Sequence, residues 1–311
     1  MRKLFALCAA LFAATVLAQP YPHKPITVMV PFGPGGTTDL MARLLQAEFE
    51  KAVGASLIVA NKAGAGGAIA IAEVARASPD GYTLAMTTIG PQVLQPSLKK
   101  LTYQVDSFDY LCGTYDVPLM LMVTQDSPFK TLAEVIAYAK QNPGKLNYGS
   151  SGQGTALHIA MAALLKRAGV DGLHVPYKSS GEMATGLLGK HVMMFAETPA
   201  VATQYQLRPL VVFADKRLDT HPAVPTAREG GFDIHGSVWG GLVAPKGLPA
   251  DIRGKLVAAC AKATASDGYK AGAARLNSPL VFRDAATFAT FAAAEAMAYA
   301  AAVREFGLEE K

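Results

Sequence analysis

The stretch that decides the fold is ITVMVPFGPGGTTD, residues 26–39. Its first five residues are apolar or β-branched and lie between Pro25 and Pro31, which predicts a short buried strand. Glycines and threonines follow at 33–38 and predict a tight turn. The apolar spacing from Leu40 to Phe49 then predicts a helix. Strand, glycine-rich turn and helix together form the basic unit of an α/β fold.

The same alternation continues to the end of the chain. Apolar, β-branched runs predict further strands at residues 56–60, 82–87, 118–123, 146–148, 173–177 and 210–214. Helical spacing predicts helices at residues 68–77, 155–166, 252–264 and 287–306, and a capping box at residues 131–134 opens another. Strands that alternate with helices predict a mostly parallel sheet that is covered by helices.

The first 18 residues have the pattern of an export signal. Arg2 and Lys3 precede an apolar run at 4–14, and Ala18 ends a stretch with small residues at the positions that a cleavage site needs. The run is shorter than the roughly 20 residues that span a bilayer, so a membrane anchor is the weaker alternative. We therefore expect a signal peptide at residues 1–18, a mature chain that begins near Gln19, and export to the periplasm.

The mature chain is longer than a single core usually supports, which predicts two lobes. No linker or low-complexity tract separates them, so we expect lobes that are joined by chain crossings and have a cleft between them. Open α/β sheets bind ligands at the carboxyl ends of their parallel strands. The cleft is therefore the expected binding site.

Charge and cysteine usage argue against nucleic acid as a partner and against a bound metal or cofactor. The net charge falls from +5 to +3 when Arg2 and Lys3 are left out, and Lys/Arg runs of the kind that bind nucleic acid are absent from the sequence. Cys112 and Cys260 could form a disulfide in an oxidising periplasm, or both could remain buried thiols. The sequence has no C-x-x-C motif and no closely spaced His/Cys set, so we expect neither a metal nor a cofactor.

Two glycine-rich loops share one design and are the leading candidates for ligand contacts. The first is residues 33–38, and the second is residues 150–155, which follow the strand that ends at Tyr148. Both place glycines and hydroxyls at a helix start, where unpaired N–H groups and the helix dipole favour an anion. Hydroxyl donors are available at Thr37, Thr38, Ser150 and Thr155. Either loop alone could be only a structural turn with a helix cap. Two such loops in different lobes instead predict that both loops bind the same anion.

Other polar residues have two interpretations each. His158 either orients a ligand or packs behind the second loop, and Lys178 either pairs with a carboxylate or is solvated. Glu197 is either a polar selector at a strand end or an acid at a helix start. Residues 149–153 come close to a nucleophile elbow but have Gln153 in place of the last glycine, so a hydrolase that uses Ser150 or Ser151 with His158 is a remote alternative.

Several motifs occur in a fixed order over almost the whole mature chain. They are VPFGPGGTTD at 30–39, NKAGAGG at 61–67, PDGYTL at 79–84, YGSSGQGTALH at 148–158, HVPYK at 174–178, VPT at 224–226 and WGGLVAP at 239–245. Together they resemble the motifs of the Bug family, the extracytoplasmic solute receptors of tripartite tricarboxylate transporters.

The resemblance implies a type II periplasmic binding protein fold, with two doubly wound lobes, a hinge and an interlobe cleft. Lobe 1 would comprise residues 19–122 and 243–311, and lobe 2 residues 123–242. The implied ligand is a small carboxylate: a di- or tricarboxylate, an acidic amino acid or an aromatic carboxylate. A monomer would deliver this ligand to membrane transporter subunits or, alternatively, present it to a membrane sensor kinase.

The resemblance also assigns ligand-binding positions. These are Phe32, Gly35, Gly36, Thr37, Thr38, Thr88, Ser150, Gly152, Gly154, Thr155, His158, Tyr177, Lys178 and Glu197. Three positions depart from the family pattern. Residues 102–105, TYQV, replace a usual PYDP, and Ser179 replaces a glycine after HVPYK. The third departure is Phe195-Ala196-Glu197, which stands where an aspartate commonly follows the phenylalanine. Because this third position helps to choose the ligand, the resemblance does not transfer a ligand identity.

Overall fold

The protein is described from a computed structural model, which covers residues 20–306. The predicted signal peptide, residues 1–18, lies outside the described residues. The strands are β1 Ile26–Val30, β2 Leu57–Asn61, β3 Thr83–Thr88, β4 Phe108–Pro118, β5 Met120–Val123, β6 Asn147–Ser150, β7 Leu173–Pro176, β8 Met194–Glu197, β9 Arg208–Val212 and β10 Ser237–Pro245. The helices are α1 Thr37–Val53, α2 Ala68–Ala75, α3 Gln95–Leu98, α4 Leu132–Gln141, α5 Ala156–Ala168, α6 Ser180–Leu188, α7 Pro199–Tyr205, α8 Ala250–Ala265, α9 Asp267–Arg275 and α10 Ala285–Phe306.

The strands form two five-stranded sheets with interleaved helices, so the expected α/β fold class is confirmed. The first sheet has the order β2-β1-β3-β10-β4, and the second has the order β7-β6-β8-β5-β9. In each sheet the parallel strands lie together, β1 with β2 and β3, and β6 with β7 and β8. The remaining pairs, which include β10 and β5, are antiparallel. Both sheets are therefore mixed. We call the part built on the first sheet lobe 1 and the part built on the second lobe 2.

The chain passes between the sheets at two adjacent points. Leu119, which is fully buried, separates β4 of the first sheet from β5 of the second. The return occurs between β9 and β10, and there the Leu119 N–H donates to the carbonyl of Gly236 at 2.8 Å. The strands thus change sheet at residue 119 and between residues 212 and 237. The lobe boundaries expected after residues 122 and 242 stay a prediction.

Two strands of lobe 1, the edge strand β4 and the interior strand β10, were not predicted. Most of β4 and all of β10 were left unassigned because their glycines are residues that strands usually lack. Packing explains these glycines: a Cβ on Gly240 would lie 2.5 Å from the Thr87 carbonyl, and one on Gly241 would overlap the Cys112 carbonyl. Close approach of the neighbouring backbones therefore outweighs strand propensity here.

A disulfide joins the sheet of lobe 1 to one of its helices. Cys112 on β4 is bonded to Cys260 on α8, with 6.4 Å between their Cα atoms, and the alternative of two free thiols is not what the structure contains. The bond closes a loop with a sequence separation of 148. A crosslink over such a loop restricts the unfolded chain and stabilises the folded one.

Among residues 20–306, no helix is long and apolar enough to cross a bilayer.

Reduction of this disulfide should lower the free energy of unfolding by about 2–4 kcal/mol, because the reduced unfolded chain regains conformational freedom. The measurement is urea denaturation of the exported protein with and without dithiothreitol. The double variant Cys112→Ala/Cys260→Ala is the control and should not respond to the reductant. Equal stability of the oxidised and reduced wild type would contradict the prediction.

Candidate ligand-binding cleft

Both predicted loops meet at one cavity between the lobes, beside the starts of α1 and α5, which we call the main cavity although other cavities of the described residues are larger. Its volume is about 30 Å³, room for about one water molecule, so a larger solute can enter only when the lobes move apart. Lobe 1 contributes Phe32, Gly36, Thr37, Thr38, Asp39, Thr88, Ile89, Gly90 and Val238, and lobe 2 contributes Ser151, Thr155, Ala156, Leu157, Ser180 and Glu197. No lysine or arginine is among these described lining residues, so any anion here must be held by hydroxyls and backbone N–H groups.

The first loop delivers the start of α1 to this cavity. The helix begins at Thr37 after the extended residue Gly36, and none of the described side chains caps it. Its first N–H groups therefore remain available as donors. Gly36 allows the lobes to come close, because a Cβ at this position would lie 2.8 Å from Oγ of Ser180. The structure thus places Gly36, Thr37 and Thr38 of this loop at the interlobe cavity.

Asp39 holds the first loop in shape. Its carboxylate accepts hydrogen bonds from the Gly35 N–H at 3.0 Å, from Arg43 at 3.0 Å and from Asn61 at 2.9 Å. Asn61 also donates to the carbonyl of Phe32 at 2.9 Å. Asp39 is only 3% exposed although it lines the cavity. With its acceptor positions filled and its charge paired to Arg43, it acts as a scaffold for the loop.

The second loop delivers the start of α5 to the same cavity. Thr155 is the N-cap residue: its hydroxyl accepts from the His158 N–H at 3.4 Å and donates to the Gly152 carbonyl at 2.8 Å. Thr155, Ala156 and Leu157 all line the cavity. The N-termini of α1 in lobe 1 and α5 in lobe 2 therefore face the same cavity.

Glu197 is the buried carboxylate of the cleft. It ends β8, is 2% exposed, and accepts hydrogen bonds from the Thr37 hydroxyl at 3.1 Å, from the Thr198 N–H at 2.9 Å and from the Ser180 hydroxyl. Burial raises the pKa of this carboxyl, and the three hydrogen bonds oppose that shift. The bond from Thr37 crosses between the lobes, so Glu197 belongs both to the cavity and to the contact that closes it.

The predicted site residues divide into three groups. Seven of them line the main cavity: Phe32, Gly36, Thr37, Thr38, Thr88, Thr155 and Glu197. Gly152, Tyr177 and Lys178 line an adjoining cavity between the lobes, opposite Gly64–Gly66, which shares Ser151 with the main cavity. Gly35, Ser150, Gly154 and His158 line neither of these two cavities.

Ser150 and His158 are engaged behind the second loop. The Ser150 hydroxyl donates to the Gly152 carbonyl at 2.9 Å and lies 2.6 Å from Nε2 of His174. His158 accepts from the Gly154 N–H at 3.1 Å through Nδ1 and stacks on His174 with 4.1 Å between ring centroids. Ser150 therefore pairs with His174 and not with His158, as the hydrolase alternative that used Ser150 would require. Ser150 is also fully buried and cannot meet a substrate. Ser151, the other serine of that alternative, lines the main cavity.

Sequence reasoning missed Ser151 and Ser180 as lining residues. Ser180 is the first residue of α6, and the helix is capped by Ser179, whose hydroxyl accepts from the Glu182 N–H at 3.1 Å. The signal was present, because Ser179 followed three residues later by Glu182 is a capping-box spacing. The serine that replaces the family glycine thus starts a third helix at the cavity.

Comparisons with known proteins agree with this architecture. The family model described as "Tripartite tricarboxylate transporter family receptor" matches residues 41–308. The periplasmic binding protein BugD is 30% identical, with a TM-score of 0.88 over 94% of this chain and 100% of its own. MatC from Rhodopseudomonas palustris, solved with bound malate, is 30% identical, with a TM-score of 0.85 over 91% and 100%. A further R. palustris protein, solved with adipate, is 28% identical, with a TM-score of 0.86 over 92% and 98%.

The stacked histidines should make stability depend on pH. Burial and the neighbouring His158 lower the pKa of His174 from 6.5 to about 4, and burial lowers the pKa of His158. As the pH falls, the unfolded chain therefore takes up protons before the folded protein does, and the free energy of unfolding should decrease from about pH 6.5 towards pH 4.

The variant His174→Asn should show a smaller decrease in urea denaturation at pH 7 and pH 5 than the wild type. His191→Asn, at an exposed position of the same lobe, is the control and should follow the wild type. The interpretation fails if removing His174 leaves the pH dependence of unfolding unchanged.

Proposed function

The chain belongs to the family of tripartite tricarboxylate transporter receptors, and from this premise we propose that it captures a small carboxylate in the interlobe cavity for delivery to a membrane transporter. The family is one of solute-binding receptors, and its structural representatives include a periplasmic binding protein. The observation that carries the proposal is the meeting of two helix starts, from α1 and α5, at one cavity.

The chemistry of the cavity suits a carboxylate. Backbone N–H groups at a helix start carry partial positive charge and form an anion site without a cationic side chain. The hydroxyls of Thr38 and Ser151 lie at the same cavity and can donate further hydrogen bonds, whereas the Thr88 hydroxyl already donates to the Trp239 carbonyl at 2.6 Å. That structural neighbours were solved with malate and adipate supports a small carboxylate as the ligand of this chain as well.

Closure of the lobes is the proposed receptor signal. The two adjacent crossings near Leu119 and Gly236 are the proposed hinge, and the bond from Thr37 to Glu197 holds the closed form. We further propose residues 1–18 as the export signal, a monomer as the active form, and the membrane subunits of a transporter as the partner. The family match favours a transporter over a sensor kinase.

Titration calorimetry against mono-, di- and tricarboxylates tests the ligand class directly. At least one small carboxylate should bind with one-site stoichiometry, because the helix starts of both lobes face one shared cavity. If folded protein, verified by circular dichroism, bound no member of the panel, the proposed function would be contradicted.

The variant Thr37→Val should weaken ligand binding by about 1–3 kcal/mol, since the closed form loses the hydrogen bond to a buried carboxylate. Calorimetry with the best ligand of the panel measures the effect. Thr185→Val is the matched control, because Thr185 is an exposed residue of α6 that bonds only within its own helix. Equal affinity of the Thr37 variant and the control would remove Thr37 from the binding process.

A further inference from the structure

The cavity contains one carboxylate that no cation neutralises. Asp39 and Glu197 are the two acidic residues among the described lining residues. Asp39 is paired with Arg43 at 3.0 Å. The hydrogen-bond partners of Glu197 within residues 20–306 are two hydroxyls and one backbone N–H, none of them charged. A buried and unpaired negative charge is costly, so a ligand that compensates it gains binding free energy.

The hydrogen bonds around Glu197 define what it can still accept. The Thr198 N–H can only donate, and the Thr37 and Ser180 hydroxyls also donate to the carboxylate. The Thr198 hydroxyl lies 2.5 Å from the Thr37 hydroxyl and can supply the proton that completes this chain of donors. An ionised carboxylate accepts about four hydrogen bonds, and three are made. One acceptor position is left for a ligand.

The other lining side chains differ from Glu197. The hydroxyls of Thr38 and Ser151 can donate or accept, so they adapt to either end of a ligand. The Thr88 hydroxyl donates its proton to the Trp239 carbonyl at 2.6 Å and is left as a neutral acceptor. The acceptor positions of Asp39 are filled by Gly35, Arg43 and Asn61. Glu197 is therefore the lining carboxylate that still has an acceptor position.

We propose that Glu197 selects carboxylates that also carry a hydrogen-bond donor: amino acids first, hydroxy acids second, and unsubstituted acids of the same chain length last. This inference rests on the proposed function, in which the helix starts hold the ligand carboxylate. An ammonium group both donates to Glu197 and neutralises its charge, whereas a hydroxyl only donates. A methylene leaves the acceptor unsatisfied, and a second carboxylate placed there is repelled.

Calorimetry on the mature protein with matched triplets tests this selection at constant chain length. The triplets are aspartate, malate and succinate; glutamate, 2-hydroxyglutarate and glutarate; and alanine, lactate and propionate. In whichever series binds, the amino or hydroxy member should bind about tenfold tighter than the unsubstituted member, as one charge-assisted hydrogen bond implies.

The variant Glu197→Gln should reduce this preference by about tenfold, because an amide at this position is neutral and offers its own donor. Glu197→Asp keeps the charge and should retain the order of preference even if overall affinity falls. Glu73→Gln makes the same chemical change at an exposed residue of α2 that pairs with Lys62, and it should behave as the wild type. The order within a triplet, unlike affinity alone, does not change through a general loss of stability.

The outcomes distinguish a failure of the selection by Glu197 from a failure of the proposed carboxylate receptor. Equal or tighter binding of the unsubstituted acid by the wild type would overturn the selection while leaving the carboxylate receptor intact. An undiminished preference in Glu197→Gln would also overturn it. Absence of binding in all three series would overturn the proposed function and the selection with it.

Discussion

The hydrogen bond from the Thr37 hydroxyl to the buried carboxylate of Glu197 is the contact on which the arrangement of the site depends. It joins the first residue of α1 in lobe 1 to the last residue of β8 in lobe 2. A carboxylate that is removed from water needs hydrogen-bond donors. One of the donors to Glu197, the Thr37 hydroxyl, belongs to the other lobe and reaches the carboxylate only when the lobes meet. Closure and the satisfaction of Glu197 are therefore coupled.

Other polar contacts also join the lobes within residues 20–306, among them the 2.5 Å contact between the Thr37 and Thr198 hydroxyls and the bond from Asn277 to Thr203 at 3.0 Å. The Gly33 N–H donates to the Lys178 carbonyl at 3.3 Å, and the Gln95 amide donates to the Gln153 carbonyl at 3.0 Å. Hydrogen bonds of this kind contribute about 1 kcal/mol each, which a ligand held by both lobes can readily exceed. The glycines at this contact, such as Gly36 against Ser180, let the two lobes approach without steric conflict.

Local patterns in the sequence predicted most of the fold. The strand and helix of residues 26–53, the capping box at Thr131 and the helix that follows Thr155 all depend on neighbours within a few residues. The strand β10 was not predicted because its glycines Gly240 and Gly241 are required by adjacent backbones, a constraint that exists only in the assembled sheet. The single glycine of β4, Gly113, instead lies against the side chains of Arg283 and Phe288.

The site, like the fold, could be predicted only where neighbouring residues in the sequence determine it. The two glycine loops were identified from their composition, but the direction of each hydroxyl depends on distant partners. Ser150 bonds to His174, which is 24 residues away, and Thr37 bonds to Glu197, which is 160 residues away. Ser150 therefore faces its own lobe while Thr37 faces the cavity. The residue spacing within one loop therefore cannot show which hydroxyl faces the cavity and which faces its own lobe.

The most direct test is a crystal structure of the protein with its bound ligand. The account predicts a carboxylate within hydrogen-bond distance of backbone N–H groups at the starts of both α1 and α5, with the lobes closed over it. A ligand bound outside this cavity, or held by one lobe alone through cationic side chains, would contradict the account.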